Sequence, residues 1–188
     1  MSFVWFALVI SLLTGTTVNA GVVPIENRGY IIVGDSRTVG MDAACNVGDH
    51  ANIFVVAKVG KGYNWLVEEG WPEVESIKKS NPDITDWTIV SNLGVNDLGS
   101  RESYIDFYSS LKDDFIFVSV NPVSRGKYSV KNANVDAFNE SMSEKFDYID
   151  TNTMLKLRGF SAPDGLHYTD ETYSLIFRFM CLELGIQG

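Results

Sequence analysis

The chain has 188 residues, of which 45% are hydrophobic and 21% charged, a composition typical of a globular protein. Its formal net charge is −9, from 15 Lys and Arg against 24 Asp and Glu. Because no basic cluster offsets this charge, we expect neither nucleic acid nor an anionic membrane surface as a partner. No repeat or linker-like stretch divides the chain, which therefore reads as one domain.

The first twenty residues differ from the rest. Residues 4–13 form an apolar run too short to span a bilayer comfortably, and Val18-Asn19-Ala20 resembles a small-residue cleavage site before Gly21. We predict a secretory signal peptide over 1–20 that is cleaved after Ala20, leaving a secreted or cell-surface domain over 21–188 with no membrane insertion. The usual basic region is missing, so a retained anchor stays the alternative.

Short apolar or β-branched runs alternate with helical patterns along the remaining chain. The predicted strands cover residues 30–33, 53–57, 88–93, 115–120 and 148–150. They lack clean alternation, as expected for parallel strands buried on both faces. Apolar residues at helical spacing predict helices between them: Tyr104, Phe107, Tyr108 and Leu111; then Val135, Phe138 and Met142; then Tyr173, Ile176, Phe177, Met180, Cys181 and Leu184.

This alternation predicts an α/β fold, a three-layer α/β/α domain with about five parallel strands. Thr169 and Gly185 are expected to bound the last helix. In such sheets, functional sites gather at the carboxyl ends of the strands, and polar candidates do follow those ends. Ser36 comes after the first strand, Gly60 after the second, Asn96 after the third, and His167 precedes the last helix.

These residue types fit nucleophilic catalysis. A serine hydroxyl needs a base to remove its proton, and histidine suits that task near neutral pH when a carboxylate orients it. The N–H groups of Ser36 and Gly60 and the amide of Asn96 could serve an oxyanion. Alone, Ser36 could cap a helix, His167 could be a surface residue and Asn96 could form a turn. Their joint occurrence on strand ends favours a catalytic site.

Gly34-Asp35-Ser36, Gly60, Gly94-Val95-Asn96-Asp97 and Asp164-Gly165-Leu166-His167 resemble, in order, the signature blocks of the SGNH (GDSL) hydrolase family. The resemblance implies a flavodoxin-like fold and an esterase or acyl-transfer activity. It also implies that Ser36 is the nucleophile, His167 the base and Asp164 its orienting acid. Ser36, Gly60 and Asn96 would form the oxyanion hole.

Three further residues are candidates for substrate binding. Arg37 follows the nucleophile, where many family members carry a smaller or apolar residue. It is expected either to pair with a carboxylate such as Asp97, the interpretation we favour, or to face the substrate. Tyr63 and Trp65 follow the Gly60 loop and could contact a sugar or serve as packing residues.

No cofactor and no metal site is expected, because no Cys, His or carboxylate spacing resembles one and no glycine-rich loop matches a nucleotide motif. His50 lies in a polar turn before the second strand and is interpreted as a solvated loop residue. Cys45 and Cys181 are expected on helices that share one face of the sheet. A disulfide between them and two free thiols are both open.

The sequence therefore predicts a secreted serine esterase that hydrolyses small acyl esters, with acetyl esters on a carbohydrate or cell-envelope polymer as the expected substrate. The alternatives are an acyltransferase acting on a sugar hydroxyl, a lipid or thioester hydrolase, and a catalytically idle glycan-binding module. The complete set of Ser36, Asp164 and His167 speaks against the last of these.

Overall fold

The computed structural model describes residues 27–125 and 128–186, so the predicted signal peptide lies outside the described residues. In this part of the chain, one sheet contains five parallel strands, in the order β2-β1-β3-β4-β5. The strands are β1 (Arg28–Gly34), β2 (Ile53–Ala57), β3 (Asp86–Ser91), β4 (Asp114–Val118) and β5 (Asp147–Ile149). All five predicted strands are confirmed, with shifts of one or two residues at their ends.

Helices connect the strands and cover both faces of the sheet, which confirms the three-layer α/β/α prediction. They are α1 (Ser36–Cys45), α2 (Tyr63–Trp65), α3 (Trp71–Ser80), α4 (Arg101–Ser109), α5 (Asn132–Ser143), α6 (Thr151–Arg158) and α7 (Asp170–Leu184). A π-helical turn, Leu66–Gly70, joins α2 to α3. None of the helices in the described ranges is long and apolar enough to cross a membrane.

Neighbouring residues of the central strand point to opposite faces, because side chains alternate along a strand. Ile31 belongs to an apolar cluster that also contains Tyr104 of α4 and Phe138 of α5. Ile32 belongs to a second cluster, with Met41 of α1 and Ile176 of α7. The central strands are therefore buried on both sides, which is why their sequences are continuous apolar runs.

The predicted helical stripes are core residues, as expected. Helix α7 begins after Thr169 and ends at Gly185, whose φ of 67° is left-handed and suits a glycine cap. Helix α6 was not predicted, because it is short and has few apolar positions. Asp150 marks its start, with Oδ1 accepting a hydrogen bond from the Thr153 N–H.

The two cysteines lie on helices α1 and α7, which pack together on one face as expected. Both are free thiols, and the Cys45 Sγ lies 3.6 Å from the Ser174 Oγ. His50 is half-buried and packs against Phe177, with ring centroids 5.1 Å apart. The interpretation of His50 as a solvated residue was therefore wrong, although it does lie before β2, away from the carboxyl ends of the strands.

Candidate active site

Ser36 is the first residue of helix α1, directly after the turn that follows β1. The N-cap is Asp35, whose Oδ1 accepts a hydrogen bond of 2.9 Å from the Arg37 N–H, so Ser36 does not cap the helix. A Cβ atom on Gly34 would lie 1.8 Å from the Thr38 Oγ1. Glycine is thus required here because any side chain would clash with Thr38.

A continuous chain of hydrogen bonds joins Ser36, His167 and Asp164. The Ser36 Oγ lies 2.9 Å from the His167 Nε2, and the His167 Nδ1 lies 2.8 Å from the Asp164 Oδ2. An ionised carboxylate can only accept, so it selects the tautomer with the proton on Nδ1. Nε2 is then left to accept the serine proton, which is the arrangement a general base requires.

The turn that carries His167 also fixes the charge of Asp164. The Asp164 Oδ1 accepts from the backbone N–H groups of Leu166 and His167, at 2.9 and 2.8 Å. Burial acts to raise the pKa of Asp164, but the hydrogen bonds from the His167 side chain and these two N–H groups outweigh it and hold that pKa well below its ordinary value. Asp164 is therefore an anion at neutral pH. The His167 side chain remains 34% exposed, so the site is open to a ligand.

The loops after β2 and β3 bring Gly60 and Asn96 to the same edge of the sheet as Ser36. Gly60 has a φ of 70°, and a Cβ atom there would meet nothing within 4 Å, so glycine serves the left-handed backbone. The Asn96 Nδ2 donates a hydrogen bond of 2.8 Å to the Lys61 carbonyl. This bond orients the amide and uses one of its two N–H groups, so that the second could serve an oxyanion.

Asp97 supports this pair of loops, a role that sequence reasoning missed. Its Oδ2 accepts from the Tyr63 N–H at 2.7 Å and its Oδ1 accepts from the Tyr104 hydroxyl at 2.8 Å. Burial raises the pKa of Tyr104, and the neighbouring Tyr108 and Asp97 add to it, so this phenol stays a donor. A Cβ atom on Gly62 would lie 2.3 Å from the Asp97 carboxylate. The sequence carried no signal for this role, because the contacts of Asp97 arise only in the tertiary fold.

Arg37 is 3% exposed and faces neither Asp97 nor the substrate, so both sequence-based interpretations were wrong. Its guanidinium donates to the carbonyls of Leu166 (3.0 Å), Asn121 (2.8 Å) and Pro122 (3.4 Å). It also lies 5.0 Å from the centre of the Tyr168 ring. Arg37 therefore ties the loop after β4 to the turn that carries His167. Backbone carbonyls were not considered as partners, because their positions follow only from the tertiary fold.

The two aromatic candidates belong largely to the core. Trp65 is 6% exposed and is part of the apolar cluster on the α3 side of the sheet, which favours its role as a packing residue. Tyr63 is half-buried and packs edge-on against Tyr104, with centroids 5.3 Å apart. It also lines an open groove of about 380 Å³ beside Gly60 and Asn96. Trp65 lines the same groove, so a ligand contact stays a prediction for both residues.

Asp35 is fully buried next to Ser36. Its Oδ2 and the Thr38 Oγ1 have no hydrogen-bond partner among the described residues. Burial raises the pKa of Asp35 from its ordinary 3.8 to about 6, although the N–H and the positive charge of Arg37 act in the opposite direction. This carboxylate therefore carries a charge at neutral pH at a cost to folding.

A second aromatic side chain borders the site and was missed by the sequence reasoning. The Tyr128 ring lies 5.8 Å from the His167 imidazole, with an interplanar angle of 82°. Tyr128 belongs to the loop after β4. The available signal was an exposed aromatic residue in a loop at the carboxyl end of a strand.

Several solved structures share this architecture. The C-terminal catalytic domain of the Streptococcus pneumoniae peptidoglycan O-acetyltransferase A, solved with a methylsulfonyl adduct, matches with a TM-score of 0.63 and 18% identity, over 84% of this chain and 93% of that chain. A Slackia heliotrinireducens protein assigned to the SGNH hydrolases matches with a TM-score of 0.57 and 13% identity, over 84% and 98%.

The acetylxylan esterase Axe2 of Geobacillus stearothermophilus also matches, with a TM-score of 0.54 and 15% identity, over 86% of this chain and 95% of that chain. No protein-family model and no curated protein matches the sequence. At such low identities, the structural likenesses show the fold. The chain has the three-layer α/β/α fold of the SGNH hydrolases, in agreement with the resemblance of its sequence blocks.

Proposed function

We propose that the protein is a serine esterase that hydrolyses acetyl or similarly small acyl esters on a carbohydrate or cell-envelope polymer. The observation that carries this proposal is the hydrogen-bonded series from the Ser36 hydroxyl through His167 to the Asp164 carboxylate, with contacts of 2.9 and 2.8 Å. Those groups have the order and geometry that acyl transfer to a serine requires.

In the proposed acylation step, the Ser36 Oγ attacks the ester carbonyl carbon while its proton moves to the His167 Nε2. The C–O bond to the alcohol then breaks, and the same proton passes from Nε2 to the departing alkoxide oxygen. A water molecule next attacks the acyl-enzyme carbonyl, again giving its proton to Nε2. Collapse of this second intermediate returns the proton to Ser36 and releases the carboxylic acid.

Charge develops on the carbonyl oxygen in both steps. We propose that this oxyanion accepts hydrogen bonds from the N–H groups of Ser36 and Gly60 and from the second N–H of the Asn96 amide. Ser36 lies in the first turn of α1, where backbone N–H groups have no intrahelical acceptor and the helix dipole favours an anion. Fixed donors of this kind lower the barrier because they need not reorganise as the charge forms.

The acyl group and the polymer are supported by the neighbours in structure. One is a peptidoglycan O-acetyltransferase and another an acetylxylan esterase, so acetyl groups on polysaccharides recur among proteins with this fold. Secretion is part of the proposal. It rests on the predicted signal peptide, which lies outside the described residues.

The proposal is tested with a chain-length series of p-nitrophenyl esters, from acetate to octanoate, on the protein lacking residues 1–20. We expect the highest kcat/KM with acetate and no measurable turnover by Ser36→Ala. A preference that rises toward octanoate would instead favour a lipid or thioester substrate. Absence of turnover with every ester, with the protein folded, would favour an idle glycan-binding module.

The likeness to the peptidoglycan O-acetyltransferase domain favours a second function, acyl transfer. In that case a sugar hydroxyl replaces water and takes the acyl group from Ser36. Adding an oligosaccharide acceptor during turnover of p-nitrophenyl acetate distinguishes the two activities. A transferase forms acetylated oligosaccharide, detected by mass spectrometry, and releases p-nitrophenol faster, whereas a hydrolase forms acetate alone.

A further inference from the structure

An open groove of about 510 Å³ lies on the His167 side of the site. Its lining comes from the loop after β4 and the first residue of α5: Val123, Ser124, Arg125, Tyr128, Val130 and Asn132. Tyr128 connects this groove to the site, because its ring lies 5.8 Å from the imidazole of His167. Tyr128 is 38% exposed, so part of the ring is available to a ligand.

The wall of this groove is held in a fixed position relative to His167. The Asn132 side chain accepts from the Val123 N–H at 2.8 Å and donates to the Val123 carbonyl at 2.9 Å. The Ser124 N–H donates to the carbonyl of Gly165, two residues before His167, at 3.0 Å. The groove and the base therefore form one preorganised surface, as expected of a binding site.

The proton transfers of the proposed reaction determine which part of the ester lies on each side of the site. His167 Nε2 passes its proton to the departing alkoxide, so the alcohol part of the ester has to leave from the His167 side. The carbonyl oxygen has to point toward Gly60 and Asn96, in the loops after β2 and β3. Of the two grooves, the one along the β4 loop contains Tyr128, whose ring contacts the imidazole of His167.

We propose that the groove of the β4 loop binds the alcohol portion of the ester, and that this portion is a sugar ring packed on Tyr128. This inference rests on the proposed function and names the part of the substrate that this groove binds. An aromatic ring next to exposed polar groups suits a sugar, which presents C–H groups on its faces and hydroxyls at its edges. Arg125 and Ser124 are exposed residues that line the groove. The Ser124 hydroxyl donates to the Ala162 carbonyl at 3.2 Å, so it can accept a hydrogen bond from a sugar hydroxyl.

The test compares two acetyl esters that form the same acyl-enzyme but differ in alcohol. One is an acetylated xylo-oligosaccharide, whose sugar fills the groove, and the other is trifluoroethyl acetate, whose alcohol is too small to span it. The ratio measured is kcat/KM for the sugar ester divided by kcat/KM for trifluoroethyl acetate. Tyr128→Ala is expected to lower this ratio by on the order of tenfold. Using the ratio cancels any change that the loss of the ring causes at His167 itself.

Two further variants serve as controls. Tyr128→Phe keeps the ring and is expected to keep the ratio within about twofold, since the packing surface is unchanged. Leu157→Ala, at an exposed apolar residue of α6, controls for general surface effects and is expected to leave the ratio as it is. An unchanged ratio in Tyr128→Ala would overturn the assignment of the groove, even with full esterase activity.

Failure of the proposed function gives a different result. In that case wild-type protein would cleave neither ester. The groove is then tested separately by binding of the deacetylated xylo-oligosaccharide to Ser36→Ala, followed by NMR or calorimetry. The sugar subsite is supported if the double variant, Ser36→Ala with Tyr128→Ala, binds the oligosaccharide on the order of tenfold more weakly than Ser36→Ala. Binding that is absent, or that Tyr128→Ala leaves intact, overturns it.

Discussion

The two halves of the candidate site are built in different ways. The acid–base half consists of three side chains joined to one another by direct hydrogen bonds, Ser36, His167 and Asp164. The oxyanion half consists mainly of backbone at Gly60 and of the Asn96 amide, and its geometry depends on groups outside it, Asp97 and the Lys61 carbonyl. The first half therefore depends on the charge of its carboxylate, and the second depends on where its loops are held.

The largest effect is expected when the carboxylate of the acid–base half loses its charge. In Asp164→Asn the oxygen can still accept from the N–H groups of Leu166 and His167, so the turn is kept. The new NH2 group faces the His167 Nδ1 and forces the proton onto Nε2, which can then no longer accept from Ser36. We expect kcat for an acetyl ester to fall about 10⁴-fold. A loss below about tenfold, in a folded variant, would show that the charge of Asp164 is not needed.

A smaller effect is expected when a donor of the oxyanion half is removed. Asn96→Ala is expected to lower kcat by about 100–1000-fold with KM nearly unchanged, because the amide bond strengthens only as the oxyanion forms. Steady-state kinetics with p-nitrophenyl acetate measures both constants. If kcat stays within a few fold of wild type, or if activity is lost only through unfolding, Asn96 is a turn residue.

Variants of Asp97 test whether the oxyanion half depends on the position of its loops and not on the charge of a carboxylate. Asp97→Ala removes the acceptor for the Tyr63 N–H and the Tyr104 hydroxyl, and we expect kcat to fall on the order of tenfold as the Gly60 loop loses its support. Asp97→Asn is expected to recover most of this loss. Its oxygen can accept from Tyr63, and the Tyr104 hydroxyl can reverse and accept from the new NH2 group.

Kinetics of both Asp97 variants, compared with Asp164→Asn, provide the check. If Asp97→Asn lowers kcat as much as Asp97→Ala does, the charge of Asp97 is needed and the proposed difference between the two halves is wrong. That difference is also wrong if Asn is tolerated equally at positions 97 and 164. Circular dichroism spectra of each variant control for unfolding.

The smallest effect on activity, but a measurable one on stability, is expected at Asp35. Its pKa is raised by burial from 3.8 to about 6, so the folded state binds this proton more tightly than the unfolded state. Asp35 therefore contributes most to stability below about pH 4, and the contribution is lost as the pH rises to about 6 and beyond. From the size of the shift, the loss is up to about 3 kcal/mol.

Asp35→Asn keeps the N-cap acceptor and removes the charge. We expect its free energy of unfolding in urea to exceed that of wild type at pH 8, by up to about 3 kcal/mol, and to match wild type near pH 4. A variant that is less stable than wild type at pH 8 would show that the anionic form of Asp35 is stabilised by contacts that outweigh its burial.

The acid–base half was also the easier of the two to predict from the sequence. Ser36 was predicted because it follows a strand and a tight turn, and His167 because it precedes the last helix, three residues after Asp164. Both signals are local residue types. The same was true of Gly60, where a left-handed backbone selects glycine. Such local signals do not depend on distant parts of the chain.

The errors concern residues whose partners are distant in sequence. Arg37 looked like a surface or active-site charge, but three carbonyls from residues 84–129 positions away satisfy it. Asp97 and Tyr128 were missed for the same reason, since their roles arise from contacts with the loop after β2 and with His167.

The central claim is that Ser36 is a nucleophile activated by His167. The most direct test is labelling with a fluorophosphonate, followed by intact-mass measurement and peptide mapping. We expect one label per chain, on Ser36, no label on Ser36→Ala, and labelling of His167→Ala slowed by orders of magnitude. Wild-type protein that stays unlabelled, a label on another residue, or equal labelling rates for wild type and His167→Ala would contradict it.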